Sequence, residues 1–335
     1  MRYRNVVCTV AAVAASGLHA GSFCSPALAQ TAAPTPVAES YHLAPWAKLP
    51  PARIWAGVTG IDIAPDGESV WVLDRCAAVG DCGPDSAVPI QKFDASGKRV
   101  AAFGAGLFVA PHGLFVDSGN NVWVTDFRGD GVRGHTVMKF SADGKLLLTL
   151  GKPGVSGHDA ATFNGPADVA VAKNGDIFVA DGHEGPNVYP RVVKFDRAGK
   201  FIKAWGRTGS APGEFGALHS IVIDNDGRIL VADRVNRRIH VFDQDGNFIT
   251  AFEGYGRPAG LAVDAKNTLY SLDMDSVDKD GSNDKRSLWI GDAKDGKIRA
   301  RYTNIKELED IAVDRAGNIY GGSILQKTFG RVIRD

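Results

Sequence analysis

The chain lacks an imbalance of charge, an apolar run long enough to span a bilayer, and cysteines in number. Lysine plus arginine and aspartate plus glutamate each total 38 in 335 residues. No basic stripe therefore offers itself to a nucleic-acid backbone or an anionic membrane. The apolar stretch VVCTVAAVAASGL, residues 6–18, is shorter than the roughly 20 residues of a spanning helix. Of four cysteines, Cys8 and Cys24 fall within the first 29 residues. The other two, Cys76 and Cys82, have no further soft ligand nearby, which argues against a thiolate metal site. No second domain announces itself.

The start of the chain carries a leader pattern instead. MRYRN supplies positive charge, the apolar stretch follows, and Ala27-Leu28-Ala29 offers a small-residue cleavage site. Residues 1–29 read as a secretory signal, 30–40 as a flexible spacer and 41–335 as the folded part. Phe23 argues against lipidation at Cys24. The expectation is a secreted or periplasmic protein in an oxidising compartment, with Cys76 and Cys82 joined as a disulfide. The short loop it closes limits its stabilisation to about 2 kcal/mol and stiffens the chain next to Arg75.

What the folded part has in abundance is glycine, 40 residues, and repetition. Five segments end in aspartate after an apolar run: IDIAPDGESVWVLD, GLFVDSGNNVWVTD, DVAVAKNGDIFVAD, SIVIDNDGRILVAD and GLAVDAKNTLYSLD. A sixth, DIAVDRAGNIYGG, lacks the aspartate. Four units continue through QKFDASGK, MKFSADGK, VKFDRAGK and HVFDQDGN into a further strand. Short strands split by Asp-Gly or Asn-Gly turns are hairpins. Four strands in about 40 to 55 residues make one propeller blade, which must stack on its neighbours to cover both faces. The prediction is an all-β, six-bladed β-propeller. Its last blade borrows a strand from between Tyr41 and Trp55, closing the ring and removing exposed edges. The aspartates ending the second strands read as turn formers that accept main-chain hydrogen bonds.

Aligning the first strands places Thr59, His112, Ala167, His219, Ala259 and Glu309 in one slot, just before each strand. Blades two, four and six carry His112, His219 and Glu309, about 120° apart in such a ring. Two imidazoles and a carboxylate converging on the axis form a metal site with open positions. Glu309 serves either as the third ligand or as salt-bridge partner to an arginine in the channel. Loops between second and third strands lie on the same face, offering Arg75, Arg128, His183, Tyr189 and Arg234 as polar candidates. His135, His158 and His240 fall outside the register and read as surface or packing residues. The Asp-rich stretch 274–284 reads as a solvated loop, because serines stand where an EF-hand needs acids.

The run from FNGPADVAVAKNGDIFVADGH through RVVKFDRAGKFIKAWG to PGEFGALHSIVIDNDGRILVADRVNRRIHVFD, with PHGLFVDSGNNVWVTD upstream, resembles NHL-repeat propellers. Among them it is most similar to the peptidyl-alpha-hydroxyglycine alpha-amidating lyases. The resemblance implies a catalytic zinc on the axis held by residues matching His112, His219 and Glu309, the last standing where the lyases carry a third histidine. It implies a substrate-binding arginine at Arg75. It also implies a structural calcium held by Asp310 and the main-chain carbonyls of Ile61 and Leu114. The lyases' tyrosine base is replaced by His183, with Tyr189 six residues on.

A carboxylate in place of an imidazole lowers the charge of the site and widens metal choice toward iron or manganese. The expected activity is a metal-dependent lyase acting on a carbon–nitrogen bond of a small hydroxylated or peptide-like substrate. Arg75 would hold a carboxylate, and His183 or Tyr189 would move the proton. The alternatives are a propeller lactonase or a non-catalytic NHL binding scaffold. Neither nucleic acid nor a membrane span is expected, and the expected state is a monomer.

Overall fold

Apolar runs four to eight residues long, broken by glycine turns, fold into strands throughout, with no helix among the described residues. The computed structural model describes residues 38–51, 53–75, 88–185, 188–276, 286–305 and 307–335. The leader, the first part of the spacer, and both Cys76 and Cys82 lie outside the described residues. Everything below concerns the unit Pro36–Asp335.

Strand β1 (Ala38–Pro45) opens the described chain. The first four-stranded sheet holds β2 (Val58–Ile63), β3 (Val70–Asp74), β4 (Ile90–Phe93) and β5 (Arg99–Phe103). The second holds β6 (Pro111–Val116), β7 (Val122–Gly129), β8 (Gly134–Phe140) and β9 (Leu146–Leu150). The third holds β10 (Pro166–Val171), β11 (Ile177–Asp181), β12 (Arg191–Phe195) and β13 (Phe201–Trp205). The fourth holds β14 (Leu218–Ile223), β15 (Ile229–Asp233), β16 (Arg238–Phe242) and β17 (Phe248–Glu253). The remaining strands are β18 (Pro258–Val263), β19 (Thr268–Asp273), β20 (Ser287–Asp292), β21 (Ile298–Thr303), β22 (Asp310–Val313), β23 (Ile319–Ser323) and β24 (Thr328–Arg334). They join in one eight-stranded sheet, in the order β18-β19-β20-β21-β1-β24-β23-β22.

Strand β1 is the seam of that sheet. Residues 41–45 pair antiparallel with β24, and residues 38–40 pair in parallel with β21. The borrowed strand thus starts three residues before Tyr41 and ends at Pro45, well short of Trp55. Polar composition had marked 38–40 as spacer, but the free edge of β21 supplies the ladder partner that the composition does not reveal.

The first strands of successive sheets, β2, β6, β10, β14, β18 and β22, neighbour one another in order, and β22 returns to β2. Apolar clusters fill the spaces between neighbouring sheets, and one joins the two halves of the eight-stranded sheet. Trp71 and Leu73 meet Leu114 and Phe140 between the first two, and Val58 and Phe93 meet Tyr320 and Phe329 where the ring closes. Second strands such as VWVLD, IFVAD and ILVAD are buried at every residue. Covered on both faces, they read as continuous apolar runs rather than alternating ones. A buried aromatic removes 150–250 Å² from water, a gross contribution of roughly 4–6 kcal/mol. Trp71 and Trp123 are the largest such anchors.

The repeated aspartates do accept main-chain hydrogen bonds: Asp273 takes the amide of Ser276 in a local turn, at 3.0 Å, but the other four accept from donors far back in the chain. Asp74 takes the amides of Ala56 and Gly57, both at 2.9 Å, and Asp126 those of Val109 (2.8 Å) and Ala110 (2.6 Å). Asp181 takes those of Asn164 and Gly165, both at 2.8 Å, and Asp233 that of Gly216 at 2.8 Å. Each therefore clamps the segment that enters the first strand of its own sheet. That entry carries the aligned slot.

Candidate metal centre

His112 and His219 are the second residues of β6 and β14, and Glu309 directly precedes β22. Thr59, Ala167 and Ala259 are likewise second residues of their strands, not the residues before them. The ladder slips at this point in each hairpin, between Pro111 and Leu114 in β6 and between Leu218 and Ile221 in β14. Such bulges re-aim a side chain. Close packing assists: a Cβ on Gly113 would lie 2.5 Å from Asp168 Oδ1 and 2.7 Å from the Ala167 carbonyl. Only glycine after His112 lets β6 and β10 approach so nearly.

The two imidazoles and the carboxylate meet. Oε1 of Glu309 lies 3.3 Å from His112 Nε2 and 3.4 Å from His219 Nε2, and all three residues are buried. His112 donates its Nδ1–H to the Ala167 carbonyl at 2.9 Å, which leaves a lone pair on Nε2. Among the described residues, His112 Nε2, His219 Nε2 and Glu309 Oε2 have no hydrogen-bond partner. Burial brings His112 down to about 4 despite the carboxylate beside it. Burial opposes ionisation of Glu309, yet the two imidazoles hold it well below the usual carboxylate range. Two imidazole nitrogens and a carboxylate oxygen that converge this closely in a buried space can be bridged by a cation. Nitrogen and oxygen donors at about 2.0–2.1 Å from a tetrahedral ion lie roughly 3.3 Å apart, so the residues present fit a divalent transition metal.

His183, two residues after the end of β11, comes against this pair. Its ring centroid is 4.7 Å from that of His112 and 5.1 Å from that of His219, and one donor atom of each histidine lies within 4.8 Å of the others. Arg75 is buried, with Nε donating to the Pro111 carbonyl at 3.2 Å. Burial lowers its pKa and the charge of Glu309 opposes that. The other expected residues lie elsewhere. Tyr189 is 53% exposed, with its ring 4.9 Å from that of His158, and Arg234 is engaged by Asp275 at 2.8 Å.

Phe127, missed in the sequence, organises this region. Its ring centroid is 5.3 Å from that of His112 and 4.6 Å from that of His183, and the Arg75 and Arg128 guanidinium carbons lie 5.3 and 4.8 Å from it. The one signal was its place directly after Asp126. Of the off-register histidines, His240 is a packing residue, fully buried among Phe215, Phe242 and Phe248.

On β2, β10 and β22, one to three residues beyond the aligned slot, the lining includes carboxylates. Asp62, Asp168 and Asp310 line a cavity of roughly 380 Å³ together with Ile61 and Leu114. Asp310 Oδ2 accepts the Ile61 amide at 2.8 Å, Asp62 Oδ2 that of Val116 at 2.7 Å, and Asp168 Oδ2 that of Ile221 at 2.9 Å. Burial pushes Asp62 and Asp168 up to about 7 against these donors. Burial and the charge of Asp168 push Asp310 well above its ordinary value.

Fold and repeats together make this a β-propeller protein with NHL repeats: the NHL repeat pattern matches residues 163–185 and 215–242. The chain resembles the amidating lyases in particular. It is 42% identical over 149 residues to a probable peptidyl-alpha-hydroxyglycine alpha-amidating lyase of Caenorhabditis elegans, covering 43% of this chain and 40% of that one. Against peptidyl-glycine alpha-amidating monooxygenase A of Xenopus laevis it is 35% identical over 262 residues, 72% of this chain and 26% of that one. Human NHL repeat-containing protein 3 is 41% identical over 140 residues, 40% of each chain. The chain thus spans about two fifths of the length of the first of these relatives. The same fold occurs in a streptogramin B lyase, with TM-score 0.56 and 15% identity over 88% of this chain and 98% of that one. A gluconolactonase from Xanthomonas campestris also shares it, with TM-score 0.58 and 15% identity over 84% and 87%.

Proposed function

We propose that the protein is a six-bladed propeller, exported, that acts as a metal-dependent lyase on a small hydroxylated substrate of the alpha-hydroxyglycine class. In this reading the eight-stranded sheet is two blades sewn together by β1. The observation that carries the proposal is the meeting of His112, His219 and Glu309, lone pairs facing, beside a buried arginine. Zinc, or iron or manganese, held by these three residues would supply Lewis acidity that lowers the pKa of a substrate hydroxyl. Asp310 and the carbonyls of Ile61 and Leu114 would hold calcium as a structural ion.

Arg75 presents its terminal nitrogens to a substrate carboxylate, while the Pro111 carbonyl fixes its Nε and Phe127 supports its face. Phe127 also keeps bulk water from the imidazoles. In the reaction the substrate hydroxyl gives up its proton, and the carbon–nitrogen bond breaks with its electron pair passing to nitrogen. Nitrogen then takes a proton, and an amide and an aldehyde acid result. Of the two expected proton carriers, His183 is beside the site and Tyr189 rests on His158.

The test is elemental analysis and turnover of N-benzoyl-alpha-hydroxyglycine, with wild type compared with His112→Ala and His219→Ala. The expected result is one transition metal per chain in wild type, with benzamide and glyoxylate formed, and neither metal nor turnover in the variants. Turnover by metal-free protein would sink the proposal. Hydrolysis of lactones without lyase turnover would replace it by the lactonase reading, and a wild type that never takes up a transition metal would leave the scaffold reading.

A further inference from the structure

We infer that His183 is a fourth ligand of the axial metal; this rests on the axial metal proposed above. The position of His183 is set by backbone contacts rather than by chance orientation of a loop. The amides of Gly182 and His183 both donate to the Gly165 carbonyl, at 2.8 and 3.0 Å. The Gly182 carbonyl in turn accepts the amide of Leu218 at 3.1 Å. Leu218 directly precedes His219, so the loop carrying one imidazole is tied to the strand carrying another. Gly182 makes this path available: its φ is +128°, and a Cβ there would lie 2.4 Å from Pro190 Cα.

The ring itself is oriented as a ligand. Nδ1–H of His183 donates to the Glu184 carbonyl at 3.2 Å, which leaves Nε2 as the nitrogen with a lone pair. Phe127 packs on both His183 and His112 and keeps their rings together. The outcome is a trio of imidazoles, His112, His183 and His219, around the Glu309 carboxylate.

Three nitrogens and one oxygen already complete a tetrahedral set. Substrate can then join only if the ion accepts five or six ligands, which favours manganese, iron, cobalt or nickel over a strictly tetrahedral zinc. His183 is then unavailable as the proton carrier.

The test uses the full mature protein loaded with cobalt(II), in wild type, His183→Ala, His183→Gln and His112→Ala forms. Readouts are metal affinity by competition with a chelator, the visible d–d spectrum, and the imidazole count from X-ray absorption. His183→Ala and His183→Gln should bind cobalt at least about tenfold more weakly, since loss even of a group outside the ligand set costs on that order. Their imidazole count should drop from three to two, with a changed spectrum. Thermal melts of the metal-free variants should match metal-free wild type, because the loop's backbone contacts remain. If both His183 variants keep wild-type affinity, count and spectrum while His112→Ala loses the metal, the inference is overturned and the axial site stands. If wild type itself binds no cobalt, both fail.

Discussion

His112 and Leu114, or Glu309 and Asp310, lie within two residues of each other, yet the two levels of the axis have opposite chemistry. One brings the imidazoles of His112 and His219 to the Glu309 carboxylate, and the other collects the carboxylates of Asp62, Asp168 and Asp310, of which Asp168 and Asp310 also border the first. Burial acts on both with opposite results, because low dielectric always favours the neutral form. It leaves His112 an unprotonated donor, ready for a soft or borderline ion, and it drives the aspartates toward holding protons until a hard cation displaces them. A ring of like strands thus presents two different sets of donors by changing which side chain occupies adjacent rungs.

The comparison breaks most severely at the imidazole level. His219→Ala should lose all transition metal and all lyase turnover while keeping its calcium and its fold, as elemental analysis and circular dichroism would show. Asp310→Asn, at the other level, keeps an acceptor for the Ile61 amide but loses the charge. Its transition metal should remain, while the stabilisation that added calcium provides, about 2.7 kcal/mol at a hundredfold excess over Kd, should vanish from thermal melts. Gly113→Ala tests the spacing that holds the two levels in register. Its Cβ would collide with Asp168 Oδ1 and the Ala167 carbonyl, and a cost of about 1–3 kcal/mol in urea unfolding is expected, with weaker binding of both ions.

The smallest effect at neutral pH is expected away from the axis. His240 is fully buried with an aromatic surround, and among the described residues neither ring nitrogen has a hydrogen-bond partner. Burial lowers it from 6.5 to about 4. Between those values the unfolded chain binds a proton that the folded chain refuses, so the stability it contributes is complete above about 6.5 and is lost as pH falls toward 4. His240→Phe should flatten that stretch of the stability profile without altering metal content. An unchanged slope would remove His240 from the acid response.

Much of the axis was legible because the repeat imposes a register. Once GLFVD, SIVID and DIAVD are aligned, His112, His219 and Glu309 stand out as functional groups where other units have Thr59, Ala167 and Ala259. The aspartates that clamp the strand entries were visible as a pattern, but not their donors, which lie some 17 residues upstream. Phe127 stands on β7 beyond the aspartate that ends the repeated pattern, and His183 in the segment after β11, where the repeat no longer specifies direction. The approach of His183 depends on a positive-φ glycine and on a hydrogen bond from another sheet.

The amino-acid sequence by itself determined the strands, their turns and the register that aligns His112, His219 and Glu309, because each follows from a local period of apolar residues, glycines and aspartates. Tertiary structure decided that residues 38–40 pair with β21, that bulges bring His112 and His219 to within 3.4 Å of one carboxylate oxygen, and that His183 joins them. These depend on free edges, close glycine approaches and contacts between distant segments, none of which a local pattern encodes.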